Sequence, residues 1–453
     1  MFAQATRILA IACLTAFILG HAQGAEQGEG EEVNLVGRQS ASVPWLPQEE
    51  QIPHAVVKYA DVAGLAGLPP RTDYYTIDPE VVAAAYSYFF HVEGDGHVFV
   101  VGSFINLAKL CHELAVLEDI KKRNKGKEFA SGLGDSLKGI GTGLGNLVMH
   151  PGLSMKNAGE HFRQTGRALE RAVDSDAKVG RDATGTDRSH LGGGPAGADR
   201  RRLAYELGVD VYTSNPVLQE ALIEYSRLRA AGGFATWAIP YDIGMLSVMN
   251  PVGDDANTEV LIRDYEPNEL RRKIGEELEP VLGMDREDGR APLNNLLMNP
   301  NYTPRSIAYI GLDLSYLARV GNLPMIVEKL AGAESPDEAD VLALELRLYS
   351  FFHRRIEPLR EFIPFQTLFA AKGANDVFYF MFFGDTLRPW DHTRQGFDMM
   401  VDEAIASKAR GMEIWTIGDV HPSLVQRAAD RGVKIKQNIL HDQQFFPMRE
   451  QRQ

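Results

Sequence analysis

The stretch DVFYFMFFGD, Asp376–Asp385, is an apolar run bounded by Asp and Gly, as expected of a buried strand. Helical spacing follows in Thr393–Gly411, and a second strand-like run, MEIWTIGD, covers Met412–Asp419. A short helix in Pro422–Gly432 and a third strand in Val433–Ile439 complete the pattern. This alternation of strands and helices predicts a small parallel sheet with right-handed crossovers.

Polar side chains follow the first two of these strand-like runs. Asp385 ends the first run, whereas Asp419 and His421 follow the second. The carboxyl ends of parallel strands share one edge of a sheet, where open α/β folds bind ligands. These three residues are therefore the candidate catalytic cluster, able to act as acid and base or to assist a metal-dependent hydrolysis. Helix capping is the alternative, because Asp419 or His421 can cap a helix starting at Pro422.

Upstream of this unit, the pattern from Arg202 to about Phe369 is helical and predicts the main core. Asn215-Pro216 and Ser335-Pro336 predict helix starts, because each places a capping residue before a proline. Nearer the N-terminus, YSYFFHVEGDGHVFVVGS at Tyr86–Ser103 predicts a β-hairpin that turns at Glu93–Gly96, and a helix is predicted to follow.

These patterns predict a mixed fold: a mainly α-helical body, an N-terminal β-hairpin and a small C-terminal α/β unit with a parallel sheet. The predicted organisation is a signal peptide at 1–25, an extended leader at 26–74, the hairpin with helices at 75–173, a flexible loop at 174–202, a helical core at 203–372 and the α/β unit at 373–453.

The N-terminus predicts export. Arg7 precedes an apolar run from Ile8 to Leu19, and the small residues Gly24 and Ala25 follow, as in a secretory signal peptide. The apolar run is too short for a good membrane span, so we expect no transmembrane helix in the mature chain. The expected location is the periplasm or the exterior of the cell, with peripheral membrane contact through the segment described next.

Residues 121–175, here named the basic segment, carry ten Lys or Arg and five Asp or Glu, although the whole chain has a net charge of −14. Its candidate contact residues are five cations followed by an apolar stripe with helical spacing: Lys121, Lys122, Arg123, Lys125, Lys127, Leu133, Leu137, Ile140 and Leu144. Glycines lie between the apolar positions, and each would cost an isolated helix about 1 kcal/mol. Such a helix needs stabilisation from outside.

A basic amphipathic segment of this kind suits an anionic membrane surface or an acidic protein partner. Its alternative partner is the acidic body of the same chain. The acidic balance of the whole protein argues against nucleic acid as a partner.

The common catalytic motifs are missing, and we predict no cofactor and no metal ligands. The letters GDSL at Gly134–Leu137 resemble the motif of a lipase and esterase family, but no apolar strand precedes them. No Walker A motif, no H-E-x-x-H and no C-x-x-C occurs. The sequence therefore favours a non-enzymatic envelope protein that docks through the basic segment, with a metal-assisted hydrolase as the alternative.

Two stretches, Leu203–Leu222 and Met412–Ile435, resemble a family of uncharacterised exported bacterial proteins. This resemblance implies export but no activity.

Overall fold

The computed structural model describes most of the chain between residues 54 and 439. The described residues are 54–84, 86–123, 197–230, 256–283, 287–334, 336–365, 368–389 and 391–439. The predicted signal peptide and most of the basic segment lie outside these residues.

The first described unit is a curled antiparallel sheet with one helix beside it. It contains β1 (His54–Lys58), α1 (Tyr59–Ala66), β2 (Tyr75–Ile77), β3 (Glu80–Ala84), β4 (Ser87–Gly94) and β5 (His97–Gly102). Strand β4 is central, because β5 pairs along one edge while β3 and β2 share the other. Its alternate residues Tyr88, Phe90 and Val92 are buried, as the two-residue period of a strand requires.

Helix α2 (Phe104–Arg123) follows β5 and runs through the middle of the molecule. Every residue from Leu110 to Leu117 is buried, which is typical of a helix with protein on all sides. The helix contacts α1, β2, β4, β5 and, further along the chain, the helix that begins at Pro216.

The helical body supplies most of the core. Its helices are α3 (Gly197–Leu207), α4 (Pro216–Ala230), α5 (Ala256–Asp264), α6 (Pro267–Val281), α7 (Glu287–Met298), α8 (Pro304–Tyr316), α9 (Leu323–Ala331) and α10 (Pro336–Arg355). The predicted start of α4 is confirmed, because Asn215 Oδ1 accepts hydrogen bonds from the amides of Val217 (3.1 Å) and Leu218 (3.3 Å). Helix α10 begins at Pro336 as predicted.

The C-terminal sheet has five strands in the order β12-β10-β8-β7-β6. Its elements are β6 (Leu359–Phe365), β7 (Leu368–Gly373), β8 (Val377–Phe382), β9 (Thr386–Leu387), α11 (Asp391–Ala406), β10 (Gly411–Thr416), β11 (Asp419–Val420), α12 (Pro422–Asp430) and β12 (Val433–Lys436). Strands β8, β10 and β12 are parallel, whereas β7 and β6 join antiparallel. The short strands β9 and β11 pair separately, in parallel.

Aromatic side chains join α10 to this sheet. The Phe352 ring lies 5.0 Å from Trp415 and 4.5 Å from Tyr379, measured between ring centroids. The Tyr349 hydroxyl donates to the Phe369 carbonyl (2.7 Å) and accepts from the Met381 amide (3.2 Å). These contacts make the last helix of the body and the C-terminal sheet one packed core.

The predicted fold class is wrong at both ends. The N-terminal region is a five-stranded sheet rather than a hairpin, because β1, β2 and β3 join β4 and β5. The C-terminal unit is a mixed sheet rather than a small parallel one, because β6 and β7 come from residues that were predicted to belong to the helical core. Among the described residues, no helix is both long and apolar enough to cross a membrane.

Candidate functional site

The three predicted catalytic residues lie near the carboxyl ends of β8 and β10, where the chain forms β9 and β11. Asp419 pairs with Thr386 in this short ladder, and its amide donates to the Asp385 carbonyl (3.1 Å). Gly418 lies against the backbone of Asp385 so closely that a Cβ atom would overlap it. A side chain at position 418 would therefore push the two strand ends apart.

The Asp385 carboxyl is fully buried and accepts hydrogen bonds from the N-terminal unit. Oδ2 accepts a hydrogen bond from the Tyr88 amide (2.8 Å) in β4. Oδ1 accepts from the Ser103 hydroxyl (3.1 Å) and from the amide of Phe104 (3.3 Å), the first residue of α2. The carboxyl thus satisfies one of the free amides at the start of α2 and holds that helix against the C-terminal sheet.

Burial sets the protonation behaviour of this carboxyl. It raises the pKa of Asp385 to about 7, although the three hydrogen bonds favour the ionised form and oppose the rise. The neighbouring Asp419 carboxylate adds to the rise in pKa through charge repulsion.

Asp419 and His421 also make contacts that hold the fold together. Asp419 Oδ1 accepts from the Tyr88 hydroxyl (2.9 Å), and burial raises the pKa of Tyr88 to about 12. His421 is exposed and caps α12, because its Nδ1 accepts from the Ser423 amide (3.3 Å). The capping role proposed for His421 as the alternative to catalysis is therefore confirmed.

The structure thus brings Asp385 and Asp419 together but leaves His421 at the surface. We name Asp385, Tyr88, Ser103, Phe104 and Asp419 the Asp385 junction. No group of His, Cys, Asp and Glu suited to hold a metal occurs within the described parts of the chain. Because both oxygens of Asp385 are engaged by protein donors, this edge of the sheet is an interface between two units of the fold.

The predicted contact residues of the basic segment lie at the end of α2 and beyond it. Lys121 forms an ion pair with Asp95 in the turn between β4 and β5. Lys122 and Arg123 are in the last turn of α2, but their side chains are outside the described part of the chain. The remaining predicted residues, Lys125, Lys127, Leu133, Leu137, Ile140 and Leu144, also lie outside it.

Sequence patterns did not predict a second polar group, partly buried, which lies between α2 and the helical body. We name Lys109, Glu113, Asp210, Glu259, Arg305 and Tyr309 the Lys109 cluster. Lys109 Nζ lies 3.3 Å from Asp210 Oδ2, and Glu113 Oε1 accepts from the Thr213 hydroxyl (2.6 Å). Arg305 binds both oxygens of Glu259, which also accepts from Tyr309. Charged residues within the apolar stretch LAKLCHELAVL were the available signal.

Charge pairing lowers the pKa of one carboxyl in this cluster. Burial disfavours the charged form of Asp210, but Lys109 and Arg305 outweigh it and lower its pKa. Glu113 behaves differently, since burial raises its pKa and Lys109 offsets only part of the rise. These contacts fasten the middle of α2 to the helical body.

No family model, curated protein or solved structure matches this chain.

Proposed function

We propose that this chain is an exported, non-enzymatic envelope protein that docks onto an anionic membrane surface through the basic segment. The observation that carries the proposal is the local excess of five positive charges in residues 121–175 of a chain with net charge −14. A cluster of cations beside an anionic surface gains about 1 kcal/mol for each Lys or Arg near it.

Helix α2 gives the basic segment a fixed starting point. Its first turn is bound to Asp385, its middle to the Lys109 cluster, and its end to Asp95 through Lys121. Three attachments along one buried helix hold its direction, so docking through the residues that follow would orient the whole fold.

The geometry of Asp385 and His421 argues against the hydrolase alternative. Asp385 is fully buried and its two oxygens accept three hydrogen bonds from the protein, while His421 caps a helix at the surface. A general acid or base must reach the substrate with its polar atoms. These side chains instead stabilise the fold.

The test is co-sedimentation of residues 26–453 with anionic and neutral vesicles at low and high salt. The informative variant changes Lys122, Arg123, Lys125 and Lys127 to Gln and keeps Lys121, because Lys121 pairs with Asp95. The matched control changes four exposed cations elsewhere in the described chain to Gln: Arg202, Arg319, Lys408 and Arg410.

We expect wild type and control to pellet with anionic vesicles at low salt and to be released at high salt. The informative variant should bind at least about a hundredfold more weakly. Absence of pelleting, or equal loss in the control, would refute membrane docking. Binding to polyglutamate but not to vesicles would assign the segment to an acidic protein partner instead.

A further inference from the structure

We propose that Asp385 is a proton-dependent junction that couples the N-terminal sheet and the start of α2 to the C-terminal sheet. The proposal concerns the fold itself and does not depend on membrane docking. It rests on the position of one buried carboxyl between two units that are about 300 residues apart in the chain.

The Asp385 carboxyl is the acceptor on which several parts of the N-terminal unit converge. The Tyr88 amide in β4 and the Phe104 amide at the start of α2 both donate hydrogen bonds to the Asp385 carboxyl. Ser103, with φ of +76°, donates its hydroxyl to Asp385 and accepts from the Ile105 amide (3.2 Å). A non-glycine residue at positive φ is strained, so tertiary contacts must hold Ser103 in this conformation.

Among the residues that the structure describes, no cationic side chain donates a hydrogen bond to the Asp385 carboxyl. The titratable or charged groups facing the junction are Tyr88 and Tyr86 from the N-terminal sheet, Asp419 from β11, and Arg388, which hydrogen-bonds to Tyr88. The first turn of α2, Phe104–Leu107, contains no charged residue. Ionised Asp385 therefore depends on neutral donors and on the helix terminus for stabilisation.

Both protonation states of Asp385 can form hydrogen bonds with the three groups around it, but the roles of donor and acceptor differ between the two states. The carboxylate accepts all three hydrogen bonds, whereas the neutral acid can donate to Ser103 Oγ and still accept from the two amides. Burial raises the pKa of Asp385 to about 7, so the proton is lost within the ordinary range of pH. Loss of the proton leaves a buried negative charge beside Asp419 and weakens the contact between the sheets.

Amide hydrogen exchange tests the proposal directly, because the Tyr88 and Phe104 amides donate to Asp385 itself. The full mature chain is compared at about pH 5.5 and about pH 8, with protection factors corrected for the intrinsic exchange rate. Amides of the β10–β12 ladder, which makes no contact with Asp385, serve as the internal reference.

We expect the protection of Tyr88 and Phe104 relative to that reference to fall on the order of tenfold between the two pH values. Asp385→Asn should show lower protection at both pH values and no such fall. Ser103→Ala removes one donor to the carboxylate and so raises the pKa of Asp385 further, and the fall should persist and extend to higher pH. Asp376→Asn is the control, because Asp376 pairs with Arg360 (2.7 Å) away from the junction.

A wild-type protein in which Tyr88 and Phe104 change no more than the reference amides would overturn the proposal. An equal fall in Asp385→Asn would do the same. If Asp385→Asn does not fold, the wild-type comparison and the shift in Ser103→Ala decide the question.

Discussion

Helix α2 meets two polar groups, one fully buried at Asp385 and one partly buried at Lys109, that differ in the charges around their carboxylates. In the Lys109 cluster, Lys109 and Arg305 compensate Asp210, and the pKa of Asp210 is lowered. In the Asp385 junction the donors among the described residues are neutral, and the pKa of the acid is raised to about 7. The comparison shows that burial alone does not set the protonation state, because nearby cations outweigh burial at Asp210, whereas burial prevails at Asp385 and at Glu113.

The largest effect should come from removing a cation from the Lys109 cluster. Arg305→Met leaves Glu259 without its two-oxygen contact and removes a positive charge that faces Asp210. Breaking such a pair on one side should lower the free energy of unfolding by about 3 kcal/mol. Urea denaturation checks this value, with exposed Arg272→Met as the control. If Arg305→Met lowers the free energy of unfolding no more than the control does, the Lys109 cluster does not stabilise the fold as proposed.

The next largest effect should come from overpacking the Asp385 junction. In Gly418→Ala the new methyl group would overlap the Asp385 backbone, which cannot move without separating β9 from β11. We expect a loss of about 2 kcal/mol in the free energy of unfolding. Gly411→Ala, at a glycine of β10 with room for a methyl group, is the matched control and should be much closer to wild type.

Asp385 and Asp210 should give opposite dependences of stability on pH, whereas Glu113 of the Lys109 cluster has a raised pKa and acts in the same direction as Asp385. The folded pKa of Asp385, about 7, exceeds the unfolded value of about 4, so stability should fall as pH rises between them. Glu345 and Glu338, whose pKa values burial raises to about 8 and about 7, act in the same direction. Asp210 has a lowered pKa, so the stability it contributes is lost as pH falls below about 4.

Urea midpoints between about pH 3 and about pH 8 measure this profile, and each raised acid contributes at most about 1.4 kcal/mol per pH unit. Asp385→Asn should reduce the loss of stability between about pH 4 and about pH 7. Asp210→Asn should reduce the loss of stability below about pH 4. Stability that rose steadily from about pH 5 to about pH 7 would be incompatible with the junction as described.

The smallest effect should come from His421, which the hydrolase alternative had placed in the catalytic cluster. His421→Ala removes the cap of α12 and should cost about 0.5–1 kcal/mol, because the residue is exposed and makes no contact with the Asp385 carboxyl. His421→Asn should restore most of the loss, since asparagine is a good helix cap. Thermal unfolding of the two variants provides the comparison, and equal losses in both would argue against a capping role.

Part of the fold could be predicted from local pattern. The apolar runs of β8 and β10 were recognised because buried parallel strands are continuously apolar. Strands β6 and β7 were missed because their apolar residues continue the helical pattern of α10, and Pro364 in β6 weakens the strand signal. Strand β1 was missed because the short run HAVVK lies in the predicted leader, and β3 was missed because the short run EVVAA precedes the stretch that was recognised as a hairpin.

The sequence by itself determined where several elements begin and end, since capping residues, prolines and apolar spacing act within a few residues. It also indicated that Asp385 and Asp419 share one edge of the C-terminal sheet. Only the tertiary structure decided their role, because Tyr88 and Phe104 are 297 and 281 residues away from Asp385 in the chain. Local pattern carries no information on which distant donor reaches a buried carboxyl, and that donor decides whether the carboxyl binds substrate or joins two parts of the fold.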